Sequence, residues 1–284
     1  MKSKSQFSVQ YISVMIVLAI ACASLVALHP SPTYAATSME YLVGLGDSRA
    51  AGAGLPQYET GTNRNNQYDT ACKRSPYASI NYLAEATSTP VINVACSGAT
   101  TDDVYESSRV NGSRVPSQIS QIPAFVLTDP DTTFVVQTGA NDIGWAAWLL
   151  RCSRATCGGR LDSASTKILL LNYERRLNRL ISTLRSAGAS GHIIVTGVYN
   201  PLPEVSTLAK YDVTRAEANW IGSVIDTFNQ KTAKVASQTA NTSYAPIDLD
   251  NTDLQSLSDT MPFHPTIQGQ QAISRQLLPV VSQQ

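Results

Sequence analysis

The sequence has little charge and no block of like charges. Only 15% of its 284 residues are charged, and 21 basic residues balance 21 acidic ones. A nucleic-acid-binding surface requires clustered basic residues, so that class of protein is excluded and small, weakly charged partners are expected. Internal repeats and low-complexity segments are also missing, which favours one domain. The 43% hydrophobic content is sufficient for a sizeable core.

The N-terminal segment has the features of a secretory signal peptide. Lys2 and Lys4 precede an apolar run from about Tyr11 to Leu28, and in Thr33-Tyr34-Ala35 small residues occupy both positions that determine cleavage after Ala35. We therefore predict a signal peptide over residues 1–35 and a domain over residues 36–284. An uncleaved anchor is the alternative, because an apolar run of about 18 residues is at the lower limit for crossing a bilayer. The protein is then secreted, or held at the cell surface with membrane contact only through this segment.

The domain retains an even number of cysteines, which are Cys72, Cys96, Cys152 and Cys157. In an exported protein this favours two disulfides over metal binding or redox chemistry. Three pairings are possible. We favour a local loop closed by Cys152 and Cys157 together with a longer one closed by Cys72 and Cys96.

Short apolar runs alternate with helical patterns along the domain. Near-continuous hydrophobicity in these runs is typical of parallel strands covered on both faces. We predict a three-layer α/β/α sandwich with a mainly parallel five-stranded sheet. The predicted strands are Tyr41–Leu45, Val91–Ala95, Thr133–Gln137, His192–Gly197 and Tyr244–Leu249, and the predicted long helices are Thr166–Ala187, Thr214–Ala240 and Thr266–Val280.

Ser48 follows the first predicted strand, where a strand-to-helix turn would present its hydroxyl at the sheet edge. By itself, such a serine is more often a helix N-cap. A nucleophilic serine needs a base within hydrogen-bond reach, and histidine is the usual base because its pKa is near neutrality. The domain offers His192, which opens a predicted strand, and His264, which lies in an irregular segment. His264 is the better candidate.

Acyl transfer also needs donors aimed at the developing oxyanion. Gly98 offers a backbone amide and Asn141 a side-chain amide, and each follows a predicted strand. Both would emerge at the same sheet edge as Ser48. Each residue alone has a simpler interpretation, as a turn glycine and a capping asparagine. A phosphate-binding loop is disfavoured, because the glycines after Ser48 lack the lysine-containing spacing.

These segments together resemble the four blocks of the SGNH, or GDSL-type, hydrolase superfamily. The blocks are Gly46-Asp47-Ser48, Ser97-Gly98-Ala99-Thr100, Gly139-Ala140-Asn141-Asp142 and His264-Pro265. The cysteine-containing segments are further similar to the secreted, disulfide-bonded bacterial esterases and lipases of this superfamily.

The resemblance implies a flavodoxin-like sandwich with Ser48 as nucleophile and His264 as base. It also implies an oxyanion hole formed by the Ser48 amide, the Gly98 amide and the Asn141 side chain. No metal and no organic cofactor are implied. Trp145 and Trp148 either line a substrate pocket or pack in the core.

One position departs from the family pattern. The family often has an aspartate three residues before the histidine, where this chain has Met261. Either Asp259 orients the imidazole, or a main-chain carbonyl near Thr260 or Met261 does so and leaves a Ser–His dyad. Asp259 is equally well explained as a surface acid.

We therefore predict an exported esterase or lipase that forms an acyl-enzyme on Ser48, with a small-molecule or lipid ester as its substrate. Deacetylation of a polysaccharide is the enzymatic alternative. A surface-exposed binding protein that has kept the fold and lost catalysis is the alternative from another class.

Overall fold

A central sheet of five parallel strands organises the protein. The computed structural model describes residues 40–64, 69–202 and 205–283, so the predicted signal peptide lies outside the described residues. The strands are β1 (Leu42–Gly46), β2 (Val91–Asn93), β5 (Thr133–Gln137), β6 (His192–Thr196) and β7 (Thr242–Ala245). Their spatial order is β2-β1-β5-β6-β7, and every neighbouring pair is parallel.

Helices cover this sheet as a three-layer α/β/α sandwich. The longer ones are α2 (Ser79–Thr87), α5 (Trp145–Cys152), α6 (Arg160–Ser186), α8 (Arg215–Ser237) and α9 (Ile267–Val281). The shorter ones are α1 (Ser48–Ala51), α3 (Asp102–Tyr105), α4 (Ala124–Leu127) and α7 (Val205–Tyr211). α2 packs against α9 and α6 against α8. No helix in the described ranges is long and apolar enough to span a membrane.

The predicted fold class is confirmed, and the sheet has the burial expected of it. All residues of β1 and β5 are buried, as continuous apolar runs in a doubly covered sheet require. A separate antiparallel hairpin, β3 (Ser108–Val110) and β4 (Ser113–Val115), was not predicted. Its Asn111-Gly112 turn is a hairpin signal that the sequence does contain.

Several element boundaries differ from the prediction for physical reasons. β7 ends at Ala245 rather than Leu249, because Pro246 has no N–H to continue the ladder. α6 begins at Arg160 rather than Thr166. Its first turn is on the surface, where Leu161 is exposed, so these residues do not continue the apolar periodicity that marks the rest of the helix. α8 begins where expected, because Thr214 and Glu217 form a reciprocal capping box.

Candidate active site

Ser48 is the first residue of α1, directly after β1. The turn between them is tight, since a Cβ at Gly46 would lie 2.1 Å from the Gln137 carbonyl oxygen, so only glycine fits there. The side chain of Gln118 fixes the backbone of Gly46. It accepts from the Gly46 N–H and donates to the Gly46 carbonyl, both at 2.8 Å. Sequence reasoning missed Gln118, which has no motif to mark it.

Asp47 and Arg49 form a buried ion pair beneath Ser48. Asp47 caps α1 by accepting from the Arg49 amide at 3.0 Å, and its carboxylate also accepts from the Arg49 guanidinium at 2.9 and 3.1 Å. The guanidinium donates further to the Thr138 carbonyl at 3.2 Å. Mutual pairing is what allows two charges to be buried here. Arg49 was also missed, although a charged residue next to a buried strand is a visible signal.

The structure brings Ser48 and His264 together. Ser48 Oγ lies 2.7 Å from His264 Nε2, although 216 residues separate them, and both side chains are buried. His264 Nδ1 lies 3.1 Å from the Pro262 carbonyl oxygen. A carbonyl only accepts, so Nδ1 carries the proton and Nε2 is free to accept the serine proton. Burial lowers the pKa of His264, although the Pro262 carbonyl partly opposes this, and the neutral imidazole of a general base is therefore favoured.

The structure does not bring Asp259 to His264. Its carboxylate accepts from the Ser256 amide at 2.6 Å and from the Ser256 hydroxyl at 2.9 Å, as in a local surface turn. A main-chain carbonyl orients the imidazole instead, but it belongs to Pro262. The Met261 carbonyl accepts from the amide of His264 at 3.1 Å, within a turn in which Phe263 has the left-handed φ of 64°.

The predicted oxyanion donors line the same cavity as this pair. Gly98 adopts φ 88°, and a Cβ there would lie 2.8 Å from the Asn111 amide, so the position requires glycine. Asn141 donates from Nδ2 to the Ala99 carbonyl at 2.8 Å, which orients its amide beside the Gly98 loop. Within the part of the chain that the structure describes, neither the Ser48 amide nor the Gly98 amide has an acceptor. Both amides can therefore donate to an anion.

Asp142 ties the two oxyanion loops together. One carboxylate oxygen accepts from the Thr101 amide at 2.8 Å and the Thr101 hydroxyl at 3.0 Å, and the other accepts from Arg176 at 3.0 Å. Burial raises the pKa of Asp142, with the bonds from Thr101 and Arg176 opposing that rise. Asp142 follows Asn141 in the third sequence block, but the sequence alone predicts no role for it.

The two tryptophans have different environments. Trp145 is 2% exposed, lines the cavity and packs edge-to-face on His264 with ring centroids 6.0 Å apart. Trp148 packs on Trp220 and donates its indole N–H to the Ile143 carbonyl at 2.7 Å. Only Trp145 therefore faces the candidate site.

Both predicted disulfides are confirmed, Cys72–Cys96 and Cys152–Cys157. The first lies immediately before the Gly98 loop, and the second joins Cys152, the last residue of α5, to Cys157 in the segment that follows. The candidate cavity has a volume of about 370 Å³, and its lining comprises Ser48, Arg49, Asn63, Arg64, Ala71, Lys73, Ser97, Gly98, Asn111, Ala140, Asn141, Trp145, Ala146, Met261 and His264.

A parallel α/β sandwich with a buried Ser–His pair and unpartnered amides at one sheet edge defines a class, the flavodoxin-like hydrolases. The particular family follows from comparison: the model of the GDSL-like lipase/acylhydrolase family matches residues 45–272. The chain belongs to this family, and ester hydrolysis is its general chemistry.

Solved structures share the fold. Phospholipase A1 from Streptomyces albidoflavus is 22% identical, with a TM-score of 0.60 over 87% of this chain and 99% of that chain. The extracellular lipase from Streptomyces rimosus is 20% identical, with a TM-score of 0.65 over 86% of this chain and 99% of that one. The comparison with curated proteins found no match.

Proposed function

We propose that the protein is an exported serine esterase that cleaves carboxylic esters of lipids or short acyl chains through a Ser48 acyl-enzyme. The single observation that carries this proposal is the 2.7 Å contact between Ser48 Oγ and His264 Nε2. The tautomer argued above supports it, because Nε2 is then the atom that can take a proton. Two disulfides and the signal peptide predicted from the sequence support export.

The proposed reaction has two halves. Ser48 Oγ attacks the ester carbonyl and its proton passes to His264 Nε2, while the Ser48 amide, the Gly98 amide and Asn141 Nδ2 donate to the oxyanion. The intermediate collapses, and Nε2 returns the proton to the departing alcohol. Water then attacks the acyl-enzyme with His264 as base, releasing the acid and restoring the serine hydroxyl. The Pro262 carbonyl stabilises the imidazolium in both halves.

A substrate panel on residues 36–284 tests this proposal. We expect hydrolysis of p-nitrophenyl esters across a chain-length series, covalent labelling by an organophosphonate, and loss of both in Ser48→Ala. The exposed Ser237→Ala serves as the matched control. Activity restricted to acetyl esters would favour the polysaccharide deacetylase instead. If wild-type protein neither turned over an ester nor became labelled, the non-catalytic binding protein would be the better interpretation.

A further inference from the structure

The candidate cavity has a charge pattern that ester hydrolysis alone does not require. Its charged lining residues in the described part of the chain are Arg49, Arg64 and Lys73, all basic, with no acid among them. Arg49 is neutralised by Asp47 through a buried ion pair at 2.9 Å. Two cationic side chains therefore remain to face a ligand in a cavity that also holds Ser48.

Neither Arg64 nor Lys73 pairs with an acid in the described part of the chain. Among the described residues, no ion pair within 4.0 Å includes either side chain. The four residues at 65–68, which are Asn, Asn, Gln and Tyr, contribute no acid either. A cleft lined by one sign of charge raises the local concentration of the opposite sign.

Both cations are attached to the loop that carries Gly98. Arg64 donates to the Asn111 carbonyl at 3.1 Å, and the Asn111 side chain donates to the Ser97 carbonyl. Lys73 follows Cys72, whose carbonyl accepts from the Ser97 amide at 2.9 Å. The disulfide to Cys96 reinforces this link. Arg64 and Lys73 therefore lie beside the oxyanion loop.

The backbone of this wall is also unusual. Arg64, Lys73 and Asn111 have φ values of 55°, 53° and 49°. The left-handed region is uncommon for residues other than glycine, and least so for asparagine, so arginine and lysine are unexpected there. Such conformations persist where the surrounding structure enforces them, and they cluster at ligand sites.

We propose that Arg64 and Lys73 form a subsite for a phosphate carried by the ester substrate. This deepens the proposed esterase function and rests on it. Arg64 supplies a planar set of donors and Lys73 a compact charge, which together match the oxygens of a phosphate diester. The substrate class is then an ester whose alcohol or acyl portion bears an anionic phosphate, with its carbonyl at Gly98 and Asn141.

The test compares two esters with the same acyl chains. Dihexanoylphosphatidylglycerol carries a phosphate diester, and dihexanoylglycerol carries none. The wild-type chain is compared with an Arg64→Gln, Lys73→Gln double variant. A Lys167→Gln, Arg175→Gln double variant on α6 is the matched control, because it loses the same two charges from exposed positions outside the cavity.

We expect the cavity variant to lose about tenfold or more in kcat/KM on the phospholipid, with the diacylglycerol changed by less than about twofold. The control should keep both rates. Equal losses on both esters, or no loss on either, would overturn the subsite. Inhibition by inorganic phosphate distinguishes a site for free phosphate from a site for phosphate carried by the ester. Competitive inhibition that disappears in the cavity variant supports a site open to free phosphate. No inhibition, with the tenfold loss retained, supports a site specific for ester-borne phosphate.

Failure of the proposed esterase function can be distinguished from failure of the phosphate subsite. If the wild type hydrolyses neither ester, the proposed function fails, and binding decides the subsite. Isothermal titration of Ser48→Ala with dihexanoylphosphatidylglycerol should show affinity that the Arg64→Gln, Lys73→Gln changes weaken about tenfold. Equal affinity with and without these changes would refute the phosphate subsite.

Discussion

At the scale of single residues, the third partner of the catalytic pair is a main-chain carbonyl. The Pro262 carbonyl accepts from His264 Nδ1, while the Asp259 carboxylate is bound to Ser256. A carbonyl fixes the tautomer as a carboxylate would, but it adds no full charge to stabilise the imidazolium. Because this carbonyl belongs to the main chain, no side-chain substitution removes it. The alternative partner of the imidazole, Asp259, is therefore the residue to substitute, with Ser48 as the reference.

We predict that Asp259→Asn keeps kcat/KM within about twofold of wild type, because the carboxylate does not reach the imidazole. Ser48→Ala should lose at least about 10⁴-fold, because it removes the nucleophile. Initial rates on one p-nitrophenyl ester measure both variants. A loss of a hundredfold or more in Asp259→Asn, with unchanged circular dichroism, would restore the carboxylate as the orienting group.

The pH profile offers a second residue-scale prediction. The base must be neutral to accept the Ser48 proton, and burial lowers the pKa of His264. The acidic limb of kcat/KM should therefore fall below about pH 6.5, the ordinary value for histidine, and activity should be lost as pH drops through it. The same limb is expected in Asp259→Asn. A limb well above pH 6.5 would contradict the dominance of burial.

At the scale of elements, the oxyanion loops are held by α6. Arg176 on this helix pairs with Asp142 at 3.0 Å and with Asp102 at 3.0 Å. Asp142 in turn binds Thr101 in the loop after β2. The helix therefore holds both loops in place, and the shape of the cavity depends on these contacts. Apolar periodicity in the sequence identifies α6, but it does not show which arginine on the polar face of the helix reaches the oxyanion loops.

We predict that Asp142→Ala lowers both stability and turnover. The Thr101 amide loses its acceptor, and Arg176 loses one of its two carboxylate partners and keeps only Asp102. Removing one partner of a buried pair costs about 3 to 5 kcal/mol, and the partial exposure of Arg176 reduces the expectation to about 2 kcal/mol. Urea unfolding measures the stability, and kcat should fall more than KM rises. Asp162→Ala, which breaks a partly exposed bridge to Arg151 and a bond from the Gly158 amide, should cost no more than about 1 kcal/mol. Equal losses in the two variants would argue against a bracing role.

At the scale of the whole molecule, the site is at the point where the strand order reverses. The chain passes from β1 to β2 on one side and then to β5 on the other, which opens a crevice at the carboxyl ends of these strands. Ser48, Gly98 and Asn141 follow β1, β2 and β5 in turn. Their convergence was predictable from the sequence, because parallel strands deliver their ends to one edge.

The rest of the site could not be read in the same way. His264 reaches Ser48 from an irregular segment before α9, and its partner carbonyl depends on the left-handed turn at Phe263. Arg64 and Lys73 lie between strands, where neither periodicity nor a motif positions side chains. Loop conformation is set by contacts distant in sequence, such as the disulfide beside Lys73, so it emerges only from the folded structure.

The two disulfides close loops of different length, so we expect them to stabilise the fold to different extents. Cys72 and Cys96 are 24 residues apart, and Cys152 and Cys157 are five apart. Loop-closure entropy then gives about 3.5 kcal/mol for the first and about 2 kcal/mol for the second, a large share of the 5 to 15 kcal/mol typical of whole domains. Paired cysteine-to-alanine variants, unfolded in urea, should show this order. Ester hydrolysis should fall further in Cys72→Ala, Cys96→Ala, because that bridge holds the Gly98 loop. An equal fall in Cys152→Ala, Cys157→Ala would mean that both bridges act through global stability alone.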